Sequence, residues 1–179
     1  MMKKFTQCQL ALVTLSILVT LSQMSKALAD VFSIDLTLTC IADVTGKSPS
    51  LGDHSVMNCI GRSAQACMMQ PGQDNTLGMI SCLSKESSYW EQRMLDSFST
   101  ALISAKNLDN EELMFAMNDS AVEATLETMQ IRWTAYRESL CHYEQSLWMG
   151  GSGSGPAVQA CYMTETARQT LKLEGWWSQ

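Results

Sequence analysis

The sequence predicts an all-α protein, an antiparallel helical bundle stapled by disulfides. Beyond residue 53, apolar side chains recur at spacings of three and four, which is the period of an amphipathic helix. Segments rich in glycine, proline and asparagine separate these stretches, as expected for turns between helices. Six of the seven cysteines lie beyond residue 30, and an even number in an exported chain favours disulfide bonds.

Residues 1–29 have the composition of a secretory signal peptide. Two early lysines form a basic start, an apolar run covers 10–21, and 27–29 are a small-residue cleavage site. Cleavage would remove Cys8 with the signal. Because no later apolar stretch approaches the roughly 18–20 residues of a membrane span, we expect a periplasmic or secreted protein with no membrane span after cleavage. A retained N-terminal anchor is the alternative.

The charge balance argues against a nucleic-acid partner. Removal of residues 1–29 takes away three lysines and no acidic residue, so 9 basic side chains remain against 18 acidic ones. The formal charge of residues 30–179 is therefore −9. Binding to phosphates requires clustered Lys and Arg, and this composition does not favour such clusters.

Residues 30–52 are predicted to form an extended N-terminal arm, and 53–179 the helical domain. Apolar and polar residues alternate over 30–39, but this stretch has no second strand pattern with which to pair. A helix is expected from Asp53, whose carboxylate can cap its first turn. The expected apolar face of this helix consists of Met57, Ile60, Ala64, Cys67 and Met68.

Three further helices are expected after the breaker at 71–75. The second starts near Asp74 or Asn75, with a buried stripe of Met79, Leu83, Trp90, Met94, Phe98, Ala101 and Ala105. A break at 107–110 is expected to start the third helix near Asp109, because carboxylates favour the positive end of a helix dipole. This helix has a weak point at 118–120, and its stripe is Leu113, Met117, Leu126, Met129, Trp133, Leu140 and Leu147. The fourth begins at about Pro156.

Helix geometry suggests the cysteine pairing. Two antiparallel helices bring together residues that lie at similar distances from the turn between them. The turn at 71–75 therefore favours a bond between Cys67 and Cys82, and the segment 150–156 favours one between Cys141 and Cys161. Elimination then pairs Cys40 with Cys59.

Neither a metal nor a cofactor is expected, and no enzyme template fits. The chain has no C-x-x-C motif and only two histidines, His54 and His142, whereas structural zinc needs four clustered ligands. His142 lies beside Cys141, but a bridged cysteine cannot act as a thiol catalyst. The chain also lacks a phosphate-binding glycine loop, a nucleophile elbow and a metalloprotease helix.

The most informative segment reads Q-x-x-W-x-x-Y-R-E-x-x-C, followed by G-G-S and by C-x-x-x-x-T. Its residues are Gln130, Trp133, Tyr136, Arg137, Glu138 and Cys141, then the segment 150–152, then Cys161 and Thr166. This combination resembles the LprI-type lysozyme inhibitor family, small exported helical domains of bacteria. The match covers roughly the last 50 residues, and Glu86-x-x-x-Trp90 is a looser match upstream. The family usually has an arginine where this chain has Gln169, and Arg168 stands one place early.

Most residues of this motif are expected to have structural roles. Gln130, Trp133 and Arg137 share one helical face, since they lie three and four residues apart. Trp133 is expected to anchor the core and Arg137 to meet a carboxylate or a helix end. Direct contact of these side chains with a partner is the alternative.

The segment 150–155 is predicted to be a loop between helices, held at its base by the bond between Cys141 and Cys161. Its small residues would let the backbone approach a partner closely. Ser152, Gly153 and Ser154 are therefore the candidate partner-binding residues, and a plain turn is the alternative.

The resemblance implies a non-enzymatic protein that binds a protein partner, a lysozyme, and blocks its cleft. An acidic chain would favour encounter with a cationic lysozyme. The rival hypothesis is an envelope structural or sensory module that uses the same bundle for another protein partner.

Overall fold

The computed structural model describes residues 32–46, 54–113 and 121–175. These residues form five α-helices and one 3-10 helix, and none of them forms a strand. The helices are α1 (Asp35–Thr45), the 3-10 helix (His54–Cys59), α2 (Arg62–Met68), α3 (Thr76–Leu113), α4 (Val122–Ser146) and α5 (Ser154–Leu173). The all-α prediction is confirmed, while the predicted signal peptide lies outside the described residues.

The long helix α3 is the centre of the bundle. Its 38 residues make their most extensive contacts with α5, and α4 packs against both helices. Trp90 of α3 is fully buried, together with Leu171 and Ala167 of α5. The short N-terminal helices cover the end of α3 where Leu83 joins the same core.

The prediction of an extended N-terminal arm is wrong over Asp35–Thr45, which form α1. Ile41 of this helix is buried in the core, and Thr37 is fully buried. Asp35 lies in the first turn, where a carboxylate favours helix formation. The alternating pattern was too short to decide the conformation, and contacts with distant residues stabilise the helix instead.

The helix predicted from Asp53 is divided into two short elements. The 3-10 helix and α2 are separated at Gly61, whose φ of +86° lies in the left-handed region that glycine tolerates. Asp53, the predicted cap, lies outside the described residues. The N-terminus of α2 is capped instead by a side chain of α3, described below.

The break predicted at 107–110 is wrong, because α3 continues through it to Leu113. Asp109 nevertheless lies at a helix start, that of α4. Its carboxylate oxygens accept hydrogen bonds from the backbone N–H groups of Val122 and Glu123, at 2.6 and 3.0 Å. α4 has no cap from its own N-cap residue, so α3 supplies one from outside.

Three disulfides join the same cysteine pairs that the sequence predicts. Each joins elements that are close in the chain: Cys40–Cys59, Cys67–Cys82 and Cys141–Cys161, with Cα–Cα distances of 5.5, 5.7 and 5.5 Å. None of the three links α3 directly to α4 or α5. The packing of α3 on those two helices therefore depends on noncovalent contacts.

The predicted stripe of α4 is less buried than that of α3. In α3, Trp90 and Met94 are buried as expected, whereas in α4 Trp133 is only partly buried and Leu147 is 61% exposed. Trp133 is therefore not a fully enclosed core anchor.

Among the described residues, none of the helices is long and apolar enough to span a membrane.

Candidate partner-binding site

Arg137 lies where α3, α4 and α5 meet. Its Nη1 donates to Thr166 Oγ1 at 2.8 Å and to Glu91 Oε2 at 3.3 Å. The guanidinium also lies 4.8 Å from the ring centroid of Trp133 and 5.5 Å from that of Tyr162. Its side chain is only 11% exposed, so the arginine of the motif joins three helices rather than facing solvent.

Gln169 is the residue that departs from the motif discussed in the sequence. Its side chain is buried, and its Nε2 donates to Gln130 Oε1 at 2.8 Å. Gln130 Nε2 in turn donates to Met94 Sδ at 3.0 Å. Neutral amides thus join α5 to α4 and α3 here, while the neighbouring Arg168 is exposed and pairs with Glu165.

Glu86 of α3 is a fully buried carboxylate that the sequence left without a role. Its Oε1 accepts hydrogen bonds from Thr37 Oγ1, Gly61 N and Trp90 Nε1, at 3.0, 2.8 and 3.3 Å. Its Oε2 accepts one from Ala64 N at 2.7 Å. One side chain thereby caps α2 and connects α1 to α3. In the sequence, a glutamate one helical turn before a tryptophan could have indicated this role.

A second ion pair fixes the end of α5. Arg93 donates to both carboxylate oxygens of Glu174, at 2.8 and 2.7 Å, and Ser97 Oγ donates to the same carboxylate at 2.9 Å. These hydrogen bonds with Glu174 raise the pKa of Arg93 above its ordinary value, so the guanidinium stays charged. The pair joins α3 to the residue that follows α5.

The loop 147–153 connects α4 to α5, and Cys141–Cys161 holds its base. α5 begins at Ser154, two residues earlier than predicted. Of the three predicted partner-binding residues, Ser152 is exposed, whereas Gly153 and Ser154 are partly buried. A Cβ on Gly153 would lie 2.0 Å from Cζ3 of Trp148, so this glycine provides the space in which the indole packs.

An exposed apolar surface lies at the start of this loop and on the last turn of α4, and it was not predicted from the sequence. It consists of Tyr143, Leu147, Trp148 and Met149, each more than half exposed. Met149 is 93% exposed and has a φ of +49°, a conformation that costs free energy for a residue with a side chain. Exposed apolar residues next to such backbone strain are typical of interaction surfaces. In the sequence, the run of large apolar residues directly before the glycines could have indicated this surface.

Cation-binding chemistry is not evident in the described part of the chain. There, no three His, Cys, Asp or Glu side chains are grouped so that they could hold a metal ion. The loop offers groups for noncovalent binding of a partner. They are an apolar surface, the backbone of Gly150, which no side chain covers, and the Ser152 hydroxyl.

Comparison with families of known proteins matches this chain to a family of lysozyme inhibitors. Residues 67–173 match the family described as lysozyme inhibitor LprI. Because that match covers more than half of the chain, the protein belongs to the LprI lysozyme inhibitor family.

One curated relative has a significant match over most of both chains. It is 23% identical over 139 residues, covering 77% of this chain and 82% of its own length. It is described as an uncharacterized 17.7 kDa protein in the puhA 5′ region of Rhodobacter capsulatus. No solved structure gives a significant match.

Proposed function

We propose that this protein is an exported, non-enzymatic inhibitor that blocks the cleft of a lysozyme with its α4–α5 loop. The family supports a role in lysozyme inhibition. Three disulfides support export, since such bonds form and persist in oxidising compartments outside the cytoplasm. The observation that carries the choice of surface is the disulfide-held loop with its exposed apolar tip.

The loop is ordered by its own backbone before any partner binds. Gly151 N donates to Trp148 O at 2.8 Å, and Ser154 N donates to Gly151 O at 3.0 Å. The indole of Trp148 also packs against Gly153. Because these contacts already fix the loop, binding would cost little additional conformational entropy.

The chemistry of the loop suits a cleft that binds sugar. Gly150 has no side chain to cover its backbone N–H and C=O groups, and the Ser152 hydroxyl adds a donor and acceptor. These groups would replace hydrogen bonds that the cleft makes with its substrate. Met149 and Trp148 would supply the apolar contact area at the tip.

The overall charge would assist the encounter. Residues 30–179 carry a formal charge of −9, and lysozymes are often cationic. Long-range attraction of this kind increases association rates and weakens as salt is added. Inhibition should therefore set in more slowly at high ionic strength.

The test is a titration of lysozyme activity with the oxidised protein and its Ser152→Trp variant, using lysozymes of several structural types. Ser152 is exposed, so a bulky side chain should disturb the contact without disturbing the fold. Ser99→Trp is the matched control, because Ser99 is an exposed serine of α3, away from the loop in the chain. We expect saturable inhibition by the parent and the control, and strongly weakened inhibition by Ser152→Trp.

Gly153→Val tests a second predicted residue by a different route. Its side chain would displace Trp148, so loss of inhibition would report the loop conformation rather than a direct contact. If the folded Ser152→Trp variant inhibits every responsive lysozyme as well as the parent, the binding surface lies on the helices. If the parent inhibits none, the envelope-module hypothesis is favoured.

A further inference from the structure

A second surface feature lies between α4 and α5, away from the loop. It is a groove with a cavity volume of about 780 Å³, within the range typical of small-ligand sites. Arg132 lies on this groove, 14 residues before Ser146, the last residue of α4. At 1.5 Å per residue, Arg132 is therefore about 21 Å along α4 from the end that leads into the loop.

The groove is cationic in an acidic protein. Arg132 and Lys172 both line it, and no acidic side chain is among the described residues that do. Within the described part of the chain, neither cation takes part in a salt bridge, whereas Arg93, Lys106, Arg137 and Arg168 do. Two unpaired cations at one groove favour an anionic ligand, since charged donors form their strongest hydrogen bonds with carboxylates and phosphates.

The remaining lining suits a sugar better than an inorganic anion. Tyr136 is 57% exposed and Trp133 lines the same groove, so aromatic surface is available against a pyranose ring. The exposed Thr128 hydroxyl supplies a polar group beside the rings. A carboxylated saccharide requires this combination of aromatic surface, a neutral hydrogen-bonding group and cations.

We propose that this groove binds a carboxylated amino-sugar of the kind found in peptidoglycan, N-acetylmuramic acid. Arg132 and Lys172 bind the lactyl carboxylate, and Tyr136 packs against the sugar ring. Such binding would hold the protein at the cell wall, next to the substrate of a lysozyme. The inference rests on the proposed export but not on lysozyme inhibition, because binding is measured on the protein alone.

The experiment is an NMR titration of the oxidised, isotope-labelled protein with the disaccharide of N-acetylglucosamine and N-acetylmuramic acid. N,N′-diacetylchitobiose is the matched ligand, since it is a similar disaccharide without the carboxylate. We expect saturating chemical-shift changes at α4 residues 128–136 and α5 residues 169–172. Affinity for the neutral disaccharide should be weaker by about tenfold or more.

Removal of the two positive charges of the groove tests whether the acidic disaccharide binds at this site or is attracted to cations anywhere on the protein. Arg132→Met combined with Lys172→Met should weaken binding of the acidic disaccharide about tenfold or more, with unchanged melting temperature. Lys85→Met is the control, since Lys85 is an exposed cation of α3 that does not line the groove. It should leave binding unchanged.

Four outcomes would overturn the proposal. They are the absence of shifts with the acidic disaccharide, equal affinity for both disaccharides, equal affinity for a digalacturonate of the same charge type, and shifts confined to the loop 147–153. Failure here would leave lysozyme inhibition by the loop intact. Conversely, binding of the disaccharide by a protein that inhibits no lysozyme would support the groove alone.

Discussion

At the scale of single residues, Glu86 connects the N-terminal helices to α3. Four hydrogen-bond donors from α1, the turn at Gly61, α2 and α3 meet at its two carboxylate oxygens. Three of these hydrogen bonds are buried and the one from Gly61 is partly buried, and an unpaired donor costs more free energy there than in water. This side chain of α3 therefore contributes to the position of the N-terminal helices, together with the Cys67–Cys82 disulfide and the shared core.

Glu86→Ala should lower the free energy of unfolding by about 3–5 kcal/mol, because it leaves four donors without their acceptor. Glu86→Gln should cost less, since the amide oxygen still accepts while its NH₂ group faces other donors. Urea unfolding of the oxidised protein measures both. Glu138→Ala, at an exposed glutamate of α4, is the control and should change stability by less than about 0.5 kcal/mol. Equal losses for Glu86→Ala and the control would contradict this role.

The two tryptophans of the core region should differ in their contribution. Trp90 is fully buried and Trp133 only partly so. Trp90→Ala should therefore destabilise the protein by about 4 kcal/mol through the cavity that it leaves, and Trp133→Ala by about 2 kcal/mol. Thermal unfolding of the two variants measures the difference. A larger loss for Trp133→Ala would mean that the contact with Arg137 matters more than burial.

Individual contacts were only partly predictable from the sequence. Helical spacing placed Gln130, Trp133 and Arg137 on one face, and the structure has them together at the contact with α5. Spacing within one helix cannot give the depth of burial, which depends on the partner helices. For the same reason it could not tell that Arg137 would meet Thr166 or that Leu147 would be exposed.

At the scale of helices, α3 and α4 are coupled at the point where one ends and the other begins. Asp109 of α3 caps the first turn of α4, and Lys106 pairs with Glu123 at 3.2 Å. A cap provided from another helix fixes the two helices relative to each other as well as satisfying N–H groups.

Asp109→Ala should destabilise the protein by about 1–2 kcal/mol, the usual cost of losing an N-cap. Asp109→Asn should cost less, because one acceptor oxygen remains. Hydrogen exchange of the amides of Val122 and Glu123 is the specific measurement, and both should exchange faster in the alanine variant. Glu111→Ala, at an exposed residue of the same helix, should leave those rates unchanged.

Local sequence patterns predicted the presence of most helices more accurately than the residues at which helices begin and end. The polar run 107–110 has a composition typical of a break, yet α3 continues through it to Leu113. Residues 35–45 were predicted as extended, because the chain there lacks a long apolar period. Their helix is stabilised by burial of Ile41 and by the hydrogen bonds between Thr37 and Ser63, contacts that a local window does not contain.

At the scale of the whole molecule, the disulfides divide into two groups. Cys40–Cys59 and Cys67–Cys82 lie in the N-terminal part, and Cys141–Cys161 joins α4 to α5. Turn positions allowed Cys67–Cys82 and Cys141–Cys161 to be predicted, because antiparallel helices fix which residues face each other, and Cys40–Cys59 followed by elimination. The exposed loop surface was not predictable in the same way, since the composition of a turn does not determine which side chains project from it.

Replacing both Cys141 and Cys161 by serine should destabilise the protein by about 3 kcal/mol, as expected for a closed loop of this length. Thermal unfolding measures the loss. The same variant should inhibit lysozyme less well even at temperatures where it is folded, because its loop is no longer held at the base. Unchanged inhibition by the folded variant would mean that backbone contacts alone keep the loop in place.

The chain connection between α3 and α4 has a further consequence. None of the three disulfides of the described residues crosses it, and the contacts across it are noncovalent, including Arg93–Glu174, Arg137–Glu91 and the cap at Asp109. A single cut between Leu113 and Val122 would therefore yield two fragments, one with two disulfides and one with the third. Denaturant should separate these fragments even while every disulfide is intact. Mixing them should restore the bundle at a rate that depends on concentration, so the protein is suited to use as a split reporter for oxidising compartments.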